Sequence, residues 1–128
     1  MGGWGRIVNV AAIVGIVGGR ELSAYAAAEH AVVGFTKAIA KEAEGTGVTV
    51  NAVCPGYVDT PLTDETVARR MQRTSQLWQE AMDSILEESG QPRLIRAEEV
   101  AEVIMPLLSE DASETNGQLV VIDGKDSP

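Results

Sequence analysis

Residues 6–10 (RIVNV), 23–44 (SAYAAAEHAVVGFTKAIAKEAE) and 48–53 (VTVNAV) decide the fold. The first and third runs are short and rich in β-branched residues, which predicts buried strands of a parallel sheet. The alanine-rich run between them predicts one long helix, with Ser23 as its N-cap. Strand, helix and strand in this order imply a right-handed crossover between parallel strands.

The rest of the chain extends this α/β pattern. Residues 11–21 are rich in glycine and predict a loop. Residues 60–61 (TP) predict a helix start with proline at its first position, which opens a helix or a pair of helices. Residues 97–108 predict a further helix whose last turn is disturbed by Pro106, and residues 119–122 (LVVI) predict a last buried strand. The apolar side chains expected to share one face of the helix or helix pair are Val67, Met71, Trp78, Met82 and Ile85.

These elements predict a partial, three-layer Rossmann-like fold, with a short parallel sheet of about three strands and flanking helices. Residues 1–128 are expected to form a single domain, because the length suits one core and not two. The first strand is expected to leave a bare edge unless a further element covers it.

Charge is distributed unevenly along the 128 residues, whose net charge is −9. Residues 1–58 are neutral overall, so residues 59–128 carry the whole excess of acids. An acidic chain argues against nucleic acid and anionic membrane as partners, since both require a basic surface. The apolar run 7–18 is shorter than the roughly 20 residues of a membrane span. Cys54 is the only cysteine, which favours a reduced, cytoplasmic setting.

Five segments carry a more specific signal: NVAA at 9–12, YAAAE at 25–29, NAVCPGYVDT at 51–60, NGQ at 116–118 and VIDG at 121–124. Together they closely resemble the C-terminal half of a short-chain dehydrogenase/reductase. The 3-hydroxybutyrate dehydrogenase and the 3-hydroxyacyl-CoA dehydrogenase or 3-oxoacyl reductase branches are the most similar. The resemblance implies a truncated member of the family, without its N-terminal nucleotide-binding half.

The resemblance assigns roles to three positions. Tyr25 takes the place of the tyrosine that serves as general acid and base. Glu29 stands where the family has a lysine that lowers the pKa of this tyrosine, and Ala12 stands where it has a carbonyl-polarising serine. A carboxylate raises the pKa of a nearby phenol, and loss of a hydroxyl donor to an oxyanion costs about 3–4 kcal/mol. Lys37 cannot replace the lysine, because it lies about 18 Å further along the helix.

The resemblance also implies NAD or NADP as cofactor, with the nicotinamide end contacted by the turn that contains Pro55, Gly56, Val58 and Thr60. The sequence has no G-x-G-x-x-G fingerprint, and its nearest string, GIVGG at 15–19, resembles the loop on the substrate side. We therefore expect poor nucleotide binding by this chain and impaired oxidoreduction of a hydroxy or oxo substrate.

Partners and alternatives complete the predictions. The expected partners are a small-molecule substrate and a second copy of the chain, because the family's long helix packs against its symmetry mate. The region around Trp78 is a mobile lid in the family, although core packing explains its apolar residues equally well.

The first alternative is a non-catalytic remnant that acts as an oligomerising module. The second is an unrelated activity, such as hydrolysis by Ser23, His30 and Asp59, for which no G-x-S-x-G elbow is present. No metal site is expected, since the single histidine and the single cysteine lie far apart.

Overall fold

The computed structural model describes residues 3–125, and within them three parallel strands form one sheet. The strands are β1 (Gly5–Val10), β2 (Val48–Pro55) and β3 (Leu119–Ile122), and β2 lies in the middle. The predicted α/β fold with a short parallel sheet is confirmed.

Five α-helices flank the sheet within the same described residues. They are α1 (Val14–Val17), α2 (Ser23–Ala43), α3 (Pro61–Thr74), α4 (Trp78–Glu88) and α5 (Ala97–Leu107), and a 3₁₀ turn follows at Glu110–Ala112. None of the helices in this part of the chain is long and apolar enough to cross a membrane.

The core forms where α2 packs on the central strand. Ala52 and Cys54 of β2 are fully buried, and they contact Val33 of α2 and Ala11 just after β1. Small side chains at these positions let helix and sheet approach closely. This packing places α2 against one face of the sheet.

The outer strands are less buried than the sequence predicts. Val10 of β1 is 57% exposed, and Ile7 of β1 and Val121 of β3 are exposed as well. β1 and β3 are the two edges of the described sheet, so each has a neighbouring strand on one side only. The bare edge expected at the first strand is present within residues 3–125.

The loop predicted at residues 11–21 contains a short helix. Residues of α1 form one helical turn that ends at Gly18, whose φ of 76° favours glycine. The N-cap prediction for Ser23 is wrong, because Ser23 is already the first helical residue and Leu22 precedes it without a capping side chain.

Two helices rather than one follow β2. Val67 of α3 packs against Ala81, Met82 and Ile85 of α4, and the ring of Tyr57 contacts this cluster. Trp78 is exposed at the start of α4, so the prediction that it shares the buried face is wrong. Pro61 occupies the first turn of α3, as predicted.

Amide side chains fasten the end of the chain to β2. The fully buried Asn51 donates from Nδ2 to the Thr115 carbonyl at 2.9 Å, and its Oδ1 accepts from the Gln118 amide at 2.9 Å. Asn116 accepts from the Val50 amide and donates to the Ala40 carbonyl, each at 2.8 Å. Asn116 therefore joins β2, the loop before β3 and the end of α2.

Candidate functional site

The carboxyl ends of β1 and β2 meet at one edge of the sheet, where ligands bind in open α/β folds. Hydrogen bonds continue past the end of β1, from the Ala11 amide to the Val53 carbonyl at 2.8 Å and from the Ile13 amide to the Pro55 carbonyl at 3.0 Å. These bonds hold Ala12 beside the end of β2. Ala12 is buried, with 8% of its surface exposed, and its methyl side chain offers no hydrogen-bond donor.

Tyr25 and Glu29 lie one turn apart on α2. Side chains four residues apart on a helix share a face, with about 5–6 Å between their Cβ atoms. Helix α1 packs directly against this turn: a Cβ on Gly15 would lie 2.8 Å from the backbone carbon and oxygen of Glu29. A glycine at position 15 is therefore needed for α1 to pack against the turn that carries the two predicted site residues.

The environment of Tyr25 keeps its phenol protonated. Burial is the largest cause that raises its pKa, and the carboxyl group of Glu29 and the phenol of Tyr57 raise it further. The side chain is nevertheless 44% exposed, so it is open to solvent. Tyr25 is therefore a hydrogen-bond donor at neutral pH and not a phenolate.

The carboxyl group of Glu29 is unusual because one of its oxygens is unmatched. Oε2 is buried and has no hydrogen-bond partner among residues 3–125, whereas the residue as a whole is only partly buried. Buried polar atoms without a partner are rare in folded proteins. The same carboxyl group raises the pKa of the buried Cys54 thiol, after the larger effect of burial itself. Glu29 thus acts electrostatically on both Tyr25 and Cys54.

The turn after β2 contains the four residues predicted to contact a nicotinamide. Its backbone is clamped by Gln91, whose Oε1 accepts from the Tyr57 amide at 2.8 Å and whose Nε2 donates to the Tyr57 carbonyl at 2.9 Å. A Cβ on Gly56 would collide with this Oε1 atom. The structure places Pro55 at the end of β2 and Gly56 under the Gln91 amide.

The same turn leads into α3 through a pair of threonines. Val58 pairs with Ile95 in a short parallel bridge. The Val58 carbonyl accepts the hydroxyl of Thr63 at 2.5 Å and that of Thr60 at 3.4 Å. These contacts fix Val58 and Thr60 at the sheet edge that also carries Ala12.

Gln91 is a residue whose part in this site sequence reasoning missed. Its position between Gly90 and Pro92 suggests only the end of a helix. The one available signal is the glycine at position 56, which indicates a close approach by another group. The identity of that group depends on a contact across 34 residues of sequence.

A group of charged side chains at the rim was missed as well. Arg73 of α3 pairs with Glu21, and Arg70 pairs with Glu88 of α4 in a two-point contact at 2.8 and 2.9 Å. Together with Arg20 they line a cavity of about 280 Å³. Glu21 has a φ of 62°, in the left-handed region that is uncommon for residues other than glycine. The ion pair joins the α1–α2 loop to the helix pair α3–α4.

The hydrolytic alternative gains no support from the geometry. His30 uses Nδ1 in a 2.7 Å contact with the Ala26 carbonyl of its own helix. No hydrogen bond is found between Ser23, His30 and Asp59. Within residues 3–125 no group of three or more His, Cys, Asp or Glu side chains lies close enough together to hold a metal ion.

Comparison with known proteins identifies the class. A family model described as enoyl-(acyl carrier protein) reductase matches residues 1–124. D-beta-hydroxybutyrate dehydrogenase from Rhizobium meliloti (strain 1021) is 40% identical over 124 residues, which are 95% of this chain and 48% of that protein. A 3-oxoacyl-(acyl-carrier-protein) reductase from Thermotoga maritima is 39% identical over 94% of this chain and 44% of its own length.

A solved structure agrees with the sequence relatives. The actinorhodin polyketide ketoreductase with NADPH superposes with a TM-score of 0.87 at 38% identity, over 95% of this chain and 47% of that one. The chain belongs to the short-chain dehydrogenase/reductase family. It spans about half the length of the curated relatives it matches.

Proposed function

We propose that this chain forms the substrate side of a short-chain dehydrogenase/reductase site for a small hydroxy or oxo compound, and that hydride transfer at this site is impaired. The substrate class is supported by the relatives, which include a D-beta-hydroxybutyrate dehydrogenase and a 3-oxoacyl reductase. The observation that carries the impairment is the carboxyl group of Glu29, one turn from Tyr25 and with Oε2 unmatched.

Electrostatics gives the physical reason. A cation beside Tyr25 would lower the pKa of the phenol, whereas burial and Glu29 together raise it. A proton acceptor for alcohol oxidation at neutral pH is therefore lost. Ala12 in addition leaves a developing oxyanion without a hydroxyl donor, which lowers the rate by about a hundredfold to a thousandfold.

The residues present fit a nicotinamide nucleotide only in part. NAD or NADP supplies or accepts a hydride when bound, and the turn with Pro55, Gly56, Val58 and Thr60 is compatible with its nicotinamide end. The position at which the family's lysine holds the nicotinamide ribose carries the unmatched carboxyl group of Glu29 instead. Because this position does not fit the family's use of the cofactor, we assign no step of chemistry to it.

A turnover assay tests the proposal. With acetoacetate as substrate we expect no oxidation of NADH or NADPH above the enzyme-free rate. Turnover at about 1 per second or faster, the range usual for enzymes, would contradict it. The paired change Ala12→Ser and Glu29→Lys then locates the defect: a gain in turnover assigns it to these two positions, and no gain assigns it to nucleotide binding. Saturation-transfer NMR with acetoacetate checks the substrate side separately.

The second candidate function is an oligomerising module, favoured by the outer face of α2. Phe35 is 60% exposed on this helix. It continues a face made of small exposed residues, namely Ala24, Ala28, Ala31 and Ala38. A smooth apolar helix face suits close packing against the same helix of a second copy.

Light scattering after size exclusion tests the oligomer. We expect a dimer or larger species for the wild-type chain and dissociation for Phe35→Glu. A wild-type monomer at high micromolar concentration would contradict this candidate. A cytoplasmic setting belongs to the same proposal, supported by the single, buried Cys54.

A further inference from the structure

A charged cavity at the rim of the molecule takes no part in the proposed hydride chemistry. Its volume is about 280 Å³, close to the lower end of the roughly 300–1,000 Å³ usual for small-molecule sites. Arg20 and Glu21 of the α1–α2 loop, Arg70 and Arg73 of α3 and Glu88 of α4 all line it. Side chains from three parts of the chain therefore converge on one space.

The lining of this cavity has an excess of positive charge. Its three arginines face two glutamates, which leaves one positive charge in a chain whose net charge is −9. Arg73 pairs with Glu21, and Arg70 pairs with Glu88. Arg20 is exposed, and no hydrogen bond or ion pair engages it within residues 3–125. Its guanidinium is therefore the uncompensated charge of the cavity.

The charge of Arg20 reaches both ion pairs. The hydrogen bond from Arg73 is the main cause that lowers the pKa of Glu21, and the charge of Arg20 lowers this pKa further. The hydrogen bond from Arg70 is the main cause that lowers the pKa of Glu88, to which Arg20 adds as well. An anion that enters the cavity meets the charge of Arg20 without first displacing a carboxylate.

Further hydrogen-bond donors are available beside Arg20. A guanidinium group has five N–H donors, and Arg73 engages Glu21 through Nη1 alone. Gln76 also lines the cavity: its Oε1 accepts from the Thr74 hydroxyl at 3.0 Å, and no residue among 3–125 engages its Nε2. The cavity thus offers unengaged donors from the α1–α2 loop, from the end of α3 and from the connection between α3 and α4.

The arrangement of these donors favours phosphate over carboxylate. A carboxylate is planar, and a single guanidinium satisfies both of its oxygens, as Arg70 does for Glu88. A phosphate group carries about −1.5 to −2 charge at neutral pH and presents three acceptor oxygens in different directions. Donors that come from three separate parts of the chain match such a group better than they match a planar one.

We propose that this cavity binds a phosphate group, with Arg20 and Arg73 as its cationic contacts and the Gln76 amide as a neutral donor. The group belongs either to free phosphate or to a small phosphate ester, since both present the same oxygens. The proposal goes beyond the proposed function, because it uses neither Tyr25 nor Glu29. Turnover of an oxo substrate, or its absence, leaves the expected phosphate binding unchanged.

The experiment titrates inorganic phosphate into the whole ¹⁵N-labelled chain near neutral pH, with sodium chloride adjusted to keep the ionic strength constant. We expect saturable shifts of the backbone amide signals of residues 20, 21 and 73–76, with a Kd of about 1 mM. Acetate should bind at least about tenfold more weakly, because one planar carboxylate engages fewer of the donors. Glycerol 3-phosphate separates the two sources: tighter binding than phosphate assigns the site to an ester, and weaker binding assigns it to free phosphate.

Arg20→Gln should weaken phosphate binding by about tenfold or more, since it removes a charge-assisted hydrogen bond. Arg20 is exposed and has no partner within residues 3–125, so its replacement leaves the fold intact. Arg69→Gln is the matched control, because it removes the same charge from an exposed residue of α3 that contacts Thr66 of its own helix. It should bind phosphate like wild type. Shifts that do not saturate, equal affinity for acetate and phosphate, or equal losses in the two variants would overturn the proposal.

Discussion

Asn51 and Glu29 are polar residues with buried side-chain atoms, and they differ in whether those atoms have hydrogen-bond partners. Both polar atoms of Asn51 have backbone partners at 2.9 Å, whereas Oε2 of Glu29 has no hydrogen-bond partner among residues 3–125. The hydrogen bonds of Asn51 hold β2 to the loop before β3, whereas Glu29 lies in the candidate site. The buried polar atoms of Asn51 are thus fully bonded, whereas one buried oxygen of Glu29 is not.

The largest loss of stability is expected from removing the hydrogen bonds of the Asn51 side chain. Asn51→Ala should lower the free energy of unfolding by about 2–4 kcal/mol, because the Thr115 carbonyl and the Gln118 amide lose their partners in the interior. Urea denaturation measures the change. Gln118→Ala is the control, since its bond to Asn51 comes from the backbone, and it should stay within about 0.5 kcal/mol of wild type. Equal losses in the two variants would mean that the Asn51 bonds add little stability.

Removal of the carboxyl group of Glu29 should instead raise the free energy of unfolding. Glu29→Met keeps the length of the side chain and deletes the buried oxygen, so we expect a gain of about 1 kcal/mol in unfolding free energy. Glu42→Met, at an exposed position on the same helix, should leave stability nearly unchanged. A loss of stability in Glu29→Met would indicate that the carboxyl group has a stabilising partner.

Glu99 is a second carboxylate for comparison, and both of its oxygens accept hydrogen bonds. It accepts from both terminal nitrogens of Arg93, at 2.6 and 2.9 Å, and from the Arg96 amide at 2.7 Å. The Arg93 side chain and then the Arg96 backbone bond lower the pKa of Glu99 to about 2. Because this folded-state pKa lies below the ordinary value of 4.5, the stabilisation is complete above pH 4.5 and is lost as the pH falls toward 2.

Of the three predicted effects on stability, that of Glu99 is the smallest. It appears as a change in how the urea midpoint depends on pH. Between pH 5 and pH 3 the urea midpoint of Glu99→Gln should fall less than that of the wild-type chain. The control Glu98→Gln changes an exposed neighbour and should follow wild type. Parallel curves for Glu99→Gln and wild type would show that these bonds do not contribute to acid stability.

Much of the fold was predictable because its signals are local. The β-branched runs of β1 and β2 and the long alanine-rich α2 are visible in the sequence, and their order requires parallel strands. Tyr25 and Glu29 share a face by helical spacing alone. Ala12 was assigned to the same site through the resemblance to the family, and in the structure it follows the end of β1.

The remaining features depend on contacts that no local pattern carries. Four residues of α1 are too few to show a helical period, so their glycine-rich surroundings suggested a loop. The clamp of Gln91 on Tyr57 joins residues 34 positions apart. The exposure of Val10 follows from the position of β1 at the edge of the sheet, which is a property of the assembled fold. The unmatched oxygen of Glu29 likewise emerges only when α1 and α2 are packed.

The central claim is that burial and the carboxyl group of Glu29 raise the pKa of Tyr25, and an NMR titration of the chain labelled with ¹³C at tyrosine Cζ tests it most directly. The account predicts that Tyr25 titrates above its ordinary pKa of 10.0 in the wild-type chain, for which burial and then Glu29 are responsible. In Glu29→Gln the pKa should fall toward that value, and in Glu29→Lys it should fall further. A Tyr25 pKa at or below 10.0 in the wild-type chain, unchanged by Glu29→Gln, would contradict the account.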